Sequence, residues 1–116
     1  MLRTLCHAKI HRARITDTRL DYEGSLTLDK TLMEAAGLLP YEQVHVLNIN
    51  NGTRAETYLI AGEADSGMVC INGALARWAS KNDLIIIIAY AQLDETELKT
   101  FIPHIIHVDA QNRIIS

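Results

Sequence analysis

Gln43-Val44-His45-Val46-Leu47-Asn48-Ile49 runs through Asn50-Asn51-Gly52-Thr53 into Arg54-Ala55-Glu56-Thr57-Tyr58-Leu59-Ile60-Ala61. In the first segment Val44, Val46 and Asn48 alternate with Gln43, His45 and Leu47, the period-two pattern of a strand with one buried face. Asn51-Gly52 predicts a hairpin with a tight type I′ turn, which needs positive φ at both central residues. On the return strand Arg54, Glu56 and Tyr58 share one face, and Ala55, Thr57 and Leu59 the other. If Arg54, Thr57 and Tyr58 serve one site, that alternation must be broken by a strand-end twist, a bulge or a subunit boundary.

The neighbouring segments extend the same theme. Leu2 to Ile15 alternates loosely and predicts one or two strands carrying Lys9 and His11, with Arg14-Ile15-Thr16 still extended. Asp17 to Asp21 reads as a turn or a short helical turn, and Ser25 to Leu28 is again extended. Asp29 is placed as a helix N-cap before Thr31 to Ala36, with Gly37 as the stop and Pro40 beyond it. Past the hairpin, Gly62 to Gly67 is a polar loop and Met68 to Ile71 a short buried strand. Asn72-Gly73 turns the chain into a brief helix, Ala74 to Ser80. Leu84-Ile85-Ile86-Ile87-Ile88 predicts a strand buried on both faces. Leu93 to Thr100 predicts a charged surface helix, and Pro103 opens a last strand, Ile105 to Val108. Many short strands with few helices make a mainly β chain, a small barrel being the natural closure.

Length and composition bound the function. The 116 residues allow one domain with a real core. The formal net charge is −3, and the basic residues are scattered; Arg12, Arg14 and Arg19 are interrupted by Asp17 and Asp21. That balance argues against nucleic acid as a partner. The longest apolar run, Leu84 to Tyr90, is too short to span a membrane. Met1 to Leu20 has five basic residues and no apolar h-region, so a cytoplasmic location is expected. Cys6 and Cys70 form no CxxC pair and lack metal-ligand spacing, so two reduced thiols are expected. His104 and His107 fall on opposite faces of a strand, and no metal is expected there.

Tyr22-Glu23-Gly24-Ser25 lies between two apolar-periodic segments. Read alone it is a polar turn, with Gly24 supplying an unusual φ and Ser25 a local hydrogen bond. A Gly-Ser bond also has a chemical reading. The serine hydroxyl can attack the carbonyl before it when no side chain crowds that carbonyl, converting the amide to an ester. Elimination from the ester and hydrolysis of the resulting imine leave a pyruvoyl group on the new N-terminus, a ketone able to form a Schiff base.

The surrounding segments select between the two readings. Lys9-Ile10-His11-Arg12, Asp21-Tyr22-Glu23-Gly24-Ser25-Leu26-Thr27 and Met33-Glu34-Ala35-Ala36-Gly37-Leu38 occur in that order, followed by Asn50-Asn51-Gly52-Thr53-Arg54-Ala55-Glu56-Thr57-Tyr58 and Ile71-Asn72-Gly73-Ala74. Together they closely resemble the aspartate 1-decarboxylase family, from about Leu2 to the last strand. The resemblance implies a double-psi β-barrel assembled as a homotetramer, with active sites between subunits. It implies a proenzyme cut between Gly24 and Ser25 into residues 1–24 and 25–116; the cleavage proceeds either unaided or with an accessory maturation factor as a further partner. The covalent pyruvoyl group from Ser25 then takes the place of pyridoxal phosphate in converting L-aspartate to β-alanine and CO₂, for pantothenate and coenzyme A synthesis.

On that expectation Ser25 becomes the electrophile, and the protein supplies orientation and charge. Arg54, helped by Lys9, is expected to hold the β-carboxylate, because gripping the departing α-carboxylate would stabilise the ground state. Tyr58 is the expected proton donor, since a phenol can donate without being charged at neutral pH. Thr57 is suited to polarising the Gly24 carbonyl during the acyl shift or to binding the ester intermediate, and is also placed among the substrate-binding residues. Asn72 and the backbone at Gly73 and Ala74 are placed to bind the pyruvoyl amide or a substrate carboxylate. His11 and Tyr22 line the site or support processing. Each of these residues also has an ordinary reading as a surface charge, a strand former or a turn. The alternative function is an unprocessed, non-catalytic barrel homologue that binds or scaffolds; intact Ser25, Arg54, Thr57 and Tyr58 speak against it. A serine hydrolase lacks support, having no nucleophile elbow and no evident Asp–His pair. The chain departs from the family pattern at Leu75, where a small alanine is usual, at Asn82-Asp83 and at Ala64-Asp65; Leu75 is the one able to alter pocket size.

Overall fold

The computed structural model describes residues 1–116. Eight strands form one mixed sheet that curls into a small, mainly β barrel: β1 (Arg3–Arg14), β2 (Asp17–Arg19), β3 (Ser25–Asp29), β4 (Gln43–Asn48), β5 (Arg54–Gly62), β6 (Val69–Asn72), β7 (Leu84–Leu93) and β8 (His104–His107). Their spatial order is β2-β6-β3-β5-β4-β7-β1-β8. Three of the pairings, β1–β8, β2–β6 and β3–β5, are parallel, so the chain crosses over rather than meandering. Ile10, Ile15, Leu26, Leu28, Val44, Leu59, Val69, Ile71, Ile85 and Ile87 fill the interior with no measurable exposure.

Helix α1 (Lys30–Ala36) has the predicted ends. The Asp29 carboxylate accepts the Thr31 N–H at 2.8 Å, and Gly37 closes the helix in the left-handed region at φ 69°. Asp29 also accepts the N–H groups of Asp65 (2.9 Å) and Gly67 (2.8 Å), so one buried carboxylate ties the helix start to the loop before β6. Helix α2 (Glu95–Leu98) carries a reciprocal capping box between Asp94 and Glu97. Between β6 and β7, Gly73–Trp78 is a 3-10 helix.

Three expectations are corrected. Asp17 to Arg19 is strand rather than turn, because its backbone finds a parallel partner in Cys70 to Asn72; long-range pairing outweighs local turn preference there. The hairpin between β4 and β5 is not a two-residue type I′ turn, since only Gly52 has positive φ (76°). A longer loop is closed by Asn48 N–H to the Thr53 carbonyl (2.9 Å) and Gly52 N–H to the Asn48 carbonyl (2.8 Å). Asparagine side chains stabilise it: Asn48 Oδ1 accepts from Asn50 N–H, and Asn51 Oδ1 from Thr53 N–H. Finally, Leu84 to Ile88 is not buried on both faces. Ile85 and Ile87 are fully interior, while Leu84, Ile86 and Ile88 are half-buried on the outer side.

β1 is a single strand with two irregularities against β7, between Cys6 and Ala8 and between Ile10 and Ala13. Arg12 sits in the second at φ 66°. For a residue with a Cβ this conformation costs roughly 1–2 kcal/mol, and the bulge re-aims the strand around Lys9 and His11.

Candidate active site

Ser25 opens β3 and pairs directly with Asn72 on β6, while Thr27 pairs with Cys70. Leu26 and Leu28 face the core, so Ser25 and Thr27 share the opposite face. Ser25 is nonetheless only 1 % exposed. Its Oγ accepts from Asn72 Nδ2 at 3.0 Å, and its own hydroxyl reaches only the Glu23 carbonyl at 3.5 Å. Asn72 stands at the N-cap position of the 3-10 helix yet makes no capping bond. Its amide is committed to Ser25 and, at 2.9 Å, to Thr27 Oγ1. A capping bond is worth about 1 kcal/mol, so this asparagine has been turned from a local role to a cross-strand one.

Gly73 lies directly under the Gly24–Ser25 segment. It has φ +75°, and a Cβ there would meet the Gly24 backbone at 2.6 Å. Around Gly24 itself a Cβ would find nothing within 4 Å. The carbonyl that Ser25 would attack is thus on an uncrowded residue backed by a second glycine. Ala74 is exposed on the 3-10 helix. Tyr22 is exposed beneath the Arg19 guanidinium, 5.1 Å from its ring centre, and its N–H returns to the Arg19 carbonyl.

β5 joins this cluster to a second one. Its parallel register with β3 sets Leu26 beside Leu59, so one step back Ser25 and Tyr58 are neighbours on the same face. Tyr41 stacks on Tyr58 with ring centres 6.2 Å apart. Arg54 lies four residues before Tyr58, about 13 Å away along an extended strand. The β4–β5 register runs without a shift from Gln43–Tyr58 to Leu47–Arg54. Strict alternation therefore holds, and Thr57 points away from Arg54 and Tyr58. A bulge between these residues is excluded.

Arg54 belongs with β4, β7 and β1. Its Nη2 donates to His45 Nδ1 and to the Tyr90 hydroxyl, both at 3.1 Å. His45 lies 3.5 Å through Nε2 from Glu56, and Gln43 donates to the same carboxylate at 3.1 Å. Thr4, Gln43, His45, Arg54 and Tyr90 line an open cleft of about 390 Å³. Across the sheet, His45 pairs with Ile88 and Ile88 with Lys9, so Lys9 shares this outer face. His11, two residues on, packs edge to face against His107 at 5.5 Å, and its buried Nδ1 has no partner. Burial first, then the charges of Lys9, His107 and Arg12, lowers the His11 pKa and favours the neutral ring.

Within one chain, then, the candidate residues fall into two groups. Gly24, Ser25, Asn72, Gly73 and Tyr58 surround the Gly-Ser bond; Lys9, His11 and Arg54 gather on the β4–β7–β1 face. Thr27, Cys70, His45 and Tyr90 join these groups without standing out in the sequence. Their signal is register: Thr27 and Cys70 each lie two residues from a named partner on the same strand face.

The chain is thus a small β-barrel carrying a buried serine hydroxyl held by an amide at a Gly-Ser bond and, apart from it, an open cleft lined by Arg54. The comparisons with known proteins are specific. The family model described as aspartate decarboxylase matches residues 1–115. An aspartate 1-decarboxylase of Dehalococcoides mccartyi (strain ATCC BAA-2266 / KCTC 15142 / 195) is 58% identical over 107 residues, covering 92% of this chain and 86% of the relative. Those of Syntrophobacter fumaroxidans and Thermoanaerobacter pseudethanolicus are each 53% identical over all 116 residues, covering 94% and 99% of the relatives. This chain belongs to the aspartate decarboxylase family.

Proposed function

We propose that the protein is an enzyme that decarboxylates L-aspartate to β-alanine and CO₂, supplying β-alanine for pantothenate and coenzyme A. It acts in the cytoplasm after cleaving itself at Gly24–Ser25. The observation that supports this reading is the setting of Ser25, a buried hydroxyl held by Asn72 and preceded by a glycine whose Cβ position has nothing within 4 Å. In the first step Ser25 Oγ bonds to the Gly24 carbonyl carbon, the C–N bond breaks, and the hydroxyl proton ends on the Ser25 nitrogen. Loss of the Cα proton and of the Gly24 carboxylate from Cβ leaves a dehydroalanine terminus. Its imine tautomer takes up one water and releases ammonia, giving the pyruvoyl group.

The residues present fit such a group: Asn72 and the Gly73 backbone border position 25, and Tyr58 flanks it on β5. When formed, the pyruvoyl ketone supplies the electrophile and electron sink for decarboxylation. The chain's own part is electrostatic and protonic. Arg54 and Lys9 hold the β-carboxylate, which leaves the α-carboxylate free to depart. Tyr58 returns the proton to the α-carbon. Thr57 and Ala74 contribute hydrogen bonds to processing and to substrate, while His11 and Tyr22 support the site.

The separation of Ser25 from Arg54 within one chain supports a site completed by a second copy, and the family resemblance supports a homotetramer. An accessory maturation factor would accelerate the cleavage. Intact mass under denaturing conditions tests the proposal. Chains of residues 1–24 and 25–116, the larger lacking one ammonia relative to a serine terminus, together with aspartate-dependent β-alanine formation, are expected. A single full-length chain after prolonged warming, with no turnover, would favour the unprocessed binding homologue.

A further inference from the structure

Four side chains on one face of the β3–β6 ladder form a closed hydrogen-bond set: Ser25 and Thr27 opposite Asn72 and Cys70. The Cys70 thiol lies 3.3 Å from Asn72 Oδ1, and Asn72 Nδ2 lies 3.0 Å from Ser25 Oγ and 2.9 Å from Thr27 Oγ1. Cys70 and Asn72 are 1 % and 3 % exposed, so water does not substitute for these partners. An amide can sit in its pocket two ways round. In the arrangement seen, the oxygen receives the S–H donor and both N–H groups find hydroxyl oxygens. Reversed, the N–H groups would face a sulfur, which accepts weakly.

We propose that Thr27 and Cys70 are positioning residues that fix the Asn72 amide as a donor to Ser25 during self-cleavage. This inference rests on the Gly24–Ser25 cleavage argued above. With Nδ2 on one lone pair of Ser25 Oγ, the serine proton is left to the distant Glu23 carbonyl, 3.5 Å away, and is weakly held. As that proton leaves, the N–H donor lowers the cost of the negative charge on Oγ, making the hydroxyl easier to deprotonate before Oγ attacks the Gly24 carbonyl. A reversed amide would instead accept the serine O–H and hold the proton in place. Neither Thr27 nor Cys70 touches the reacting atoms; each acts through Asn72.

The test is the rate of chain cleavage in freshly made full-length precursor, followed by intact mass, with the thermal midpoint recorded for every variant. Thr27→Val keeps the shape and removes the oxygen. Cys70→Ala removes the thiol donor, and Cys70→Ser restores a donor. Thr27→Val and Cys70→Ala are expected to slow cleavage roughly five- to tenfold, the effect of losing one buried hydrogen bond. Cys70→Ser should return most of the rate, although its midpoint will not follow that order, because serine is the poorer fit to a desolvated site. Parental cleavage rates in folded Thr27→Val and Cys70→Ala would overturn the proposal. So would a Cys70→Ser variant as slow as Cys70→Ala, a comparison that decides even if Thr27→Val does not fold. A parent chain that never cleaves removes the self-cleavage reading itself, which is distinct from slow variants of a cleaving parent.

Discussion

Gly73 lies in backbone contact with Gly24: a Cβ on Gly73 would fall 2.6 Å from Gly24 Cα and 2.8 Å from its nitrogen. The two glycines are asymmetric, since a Cβ on Gly24 would meet nothing within 4 Å whereas Gly73 has a φ of +75°. Gly73→Ala must therefore strain position 73 and push the Gly24–Ser25 bond away from Asn72. Such a change costs about 1–3 kcal/mol and should lower the thermal midpoint by several degrees. It should also halt or greatly slow cleavage. Gly24→Ala should leave the midpoint nearly unchanged. Equal midpoints for the two variants, measured by thermal denaturation, would refute the contact argument.

Tyr58 precedes Leu59, the β5 partner of the Leu26 that follows Ser25, and it is braced by Tyr41. Tyr58→Phe retains the ring and its stacking and loses only the hydroxyl. If the phenol returns the proton, kcat should fall by about 10²–10⁴-fold, with chain cleavage and the aspartate KM little changed. Steady-state kinetics on fully cleaved enzyme decides this. An unaltered kcat assigns the proton to another group.

Much of this architecture is legible in the amino-acid sequence. Asp29 and Gly37 announce both ends of α1 because capping is local chemistry. The alternation from Gln43 to Asn48 announces β4 for the same reason. What is not legible depends on partners distant in sequence. Asp17 to Arg19 carries turn-forming residues, and only its pairing with Cys70 to Asn72 makes it a strand. Asn51-Gly52 reads as a two-residue turn because nothing local shows that Asn48 and Asn51 will use their side chains to close a longer loop. Thr27 and Cys70 read as an ordinary strand former and a free thiol. Their link to Asn72 exists only in the β3–β6 register.

Arg54 is held through one nitrogen by His45 and Tyr90, which leaves the rest of its guanidinium to the cleft. Arg54→Lys preserves the charge but not the planar fork or the bonds that orient it. Its aspartate kcat/KM should drop about 10–100-fold, the worth of one charge-assisted hydrogen bond pair, mainly through KM. Cleavage at Gly24–Ser25, which involves no substrate, should proceed normally. A variant with normal KM and depressed kcat would shift Arg54 from substrate grip to the chemical step.

Cys70 provides a pH test independent of turnover. Burial raises its pKa above the ordinary thiol value of 9.0, partly offset by the Arg19 charge. The folded state therefore keeps the thiol protonated where the unfolded chain would ionise. A group whose folded pKa is raised contributes stability that is complete below the unfolded value and is lost as pH rises toward the folded one. The thermal midpoint should accordingly decline as pH rises above about 9, and Cys70→Ala should flatten that decline while lowering the midpoint at neutral pH. Alkylation gives a second view of the same burial: in native protein the half-buried Cys6 should react with iodoacetamide well before the fully buried Cys70. A Cys70 that alkylates as fast as Cys6 would mean that β2 and β6 open readily. The hydrogen bond from its thiol to Asn72 would then not hold the amide long enough to guide Ser25.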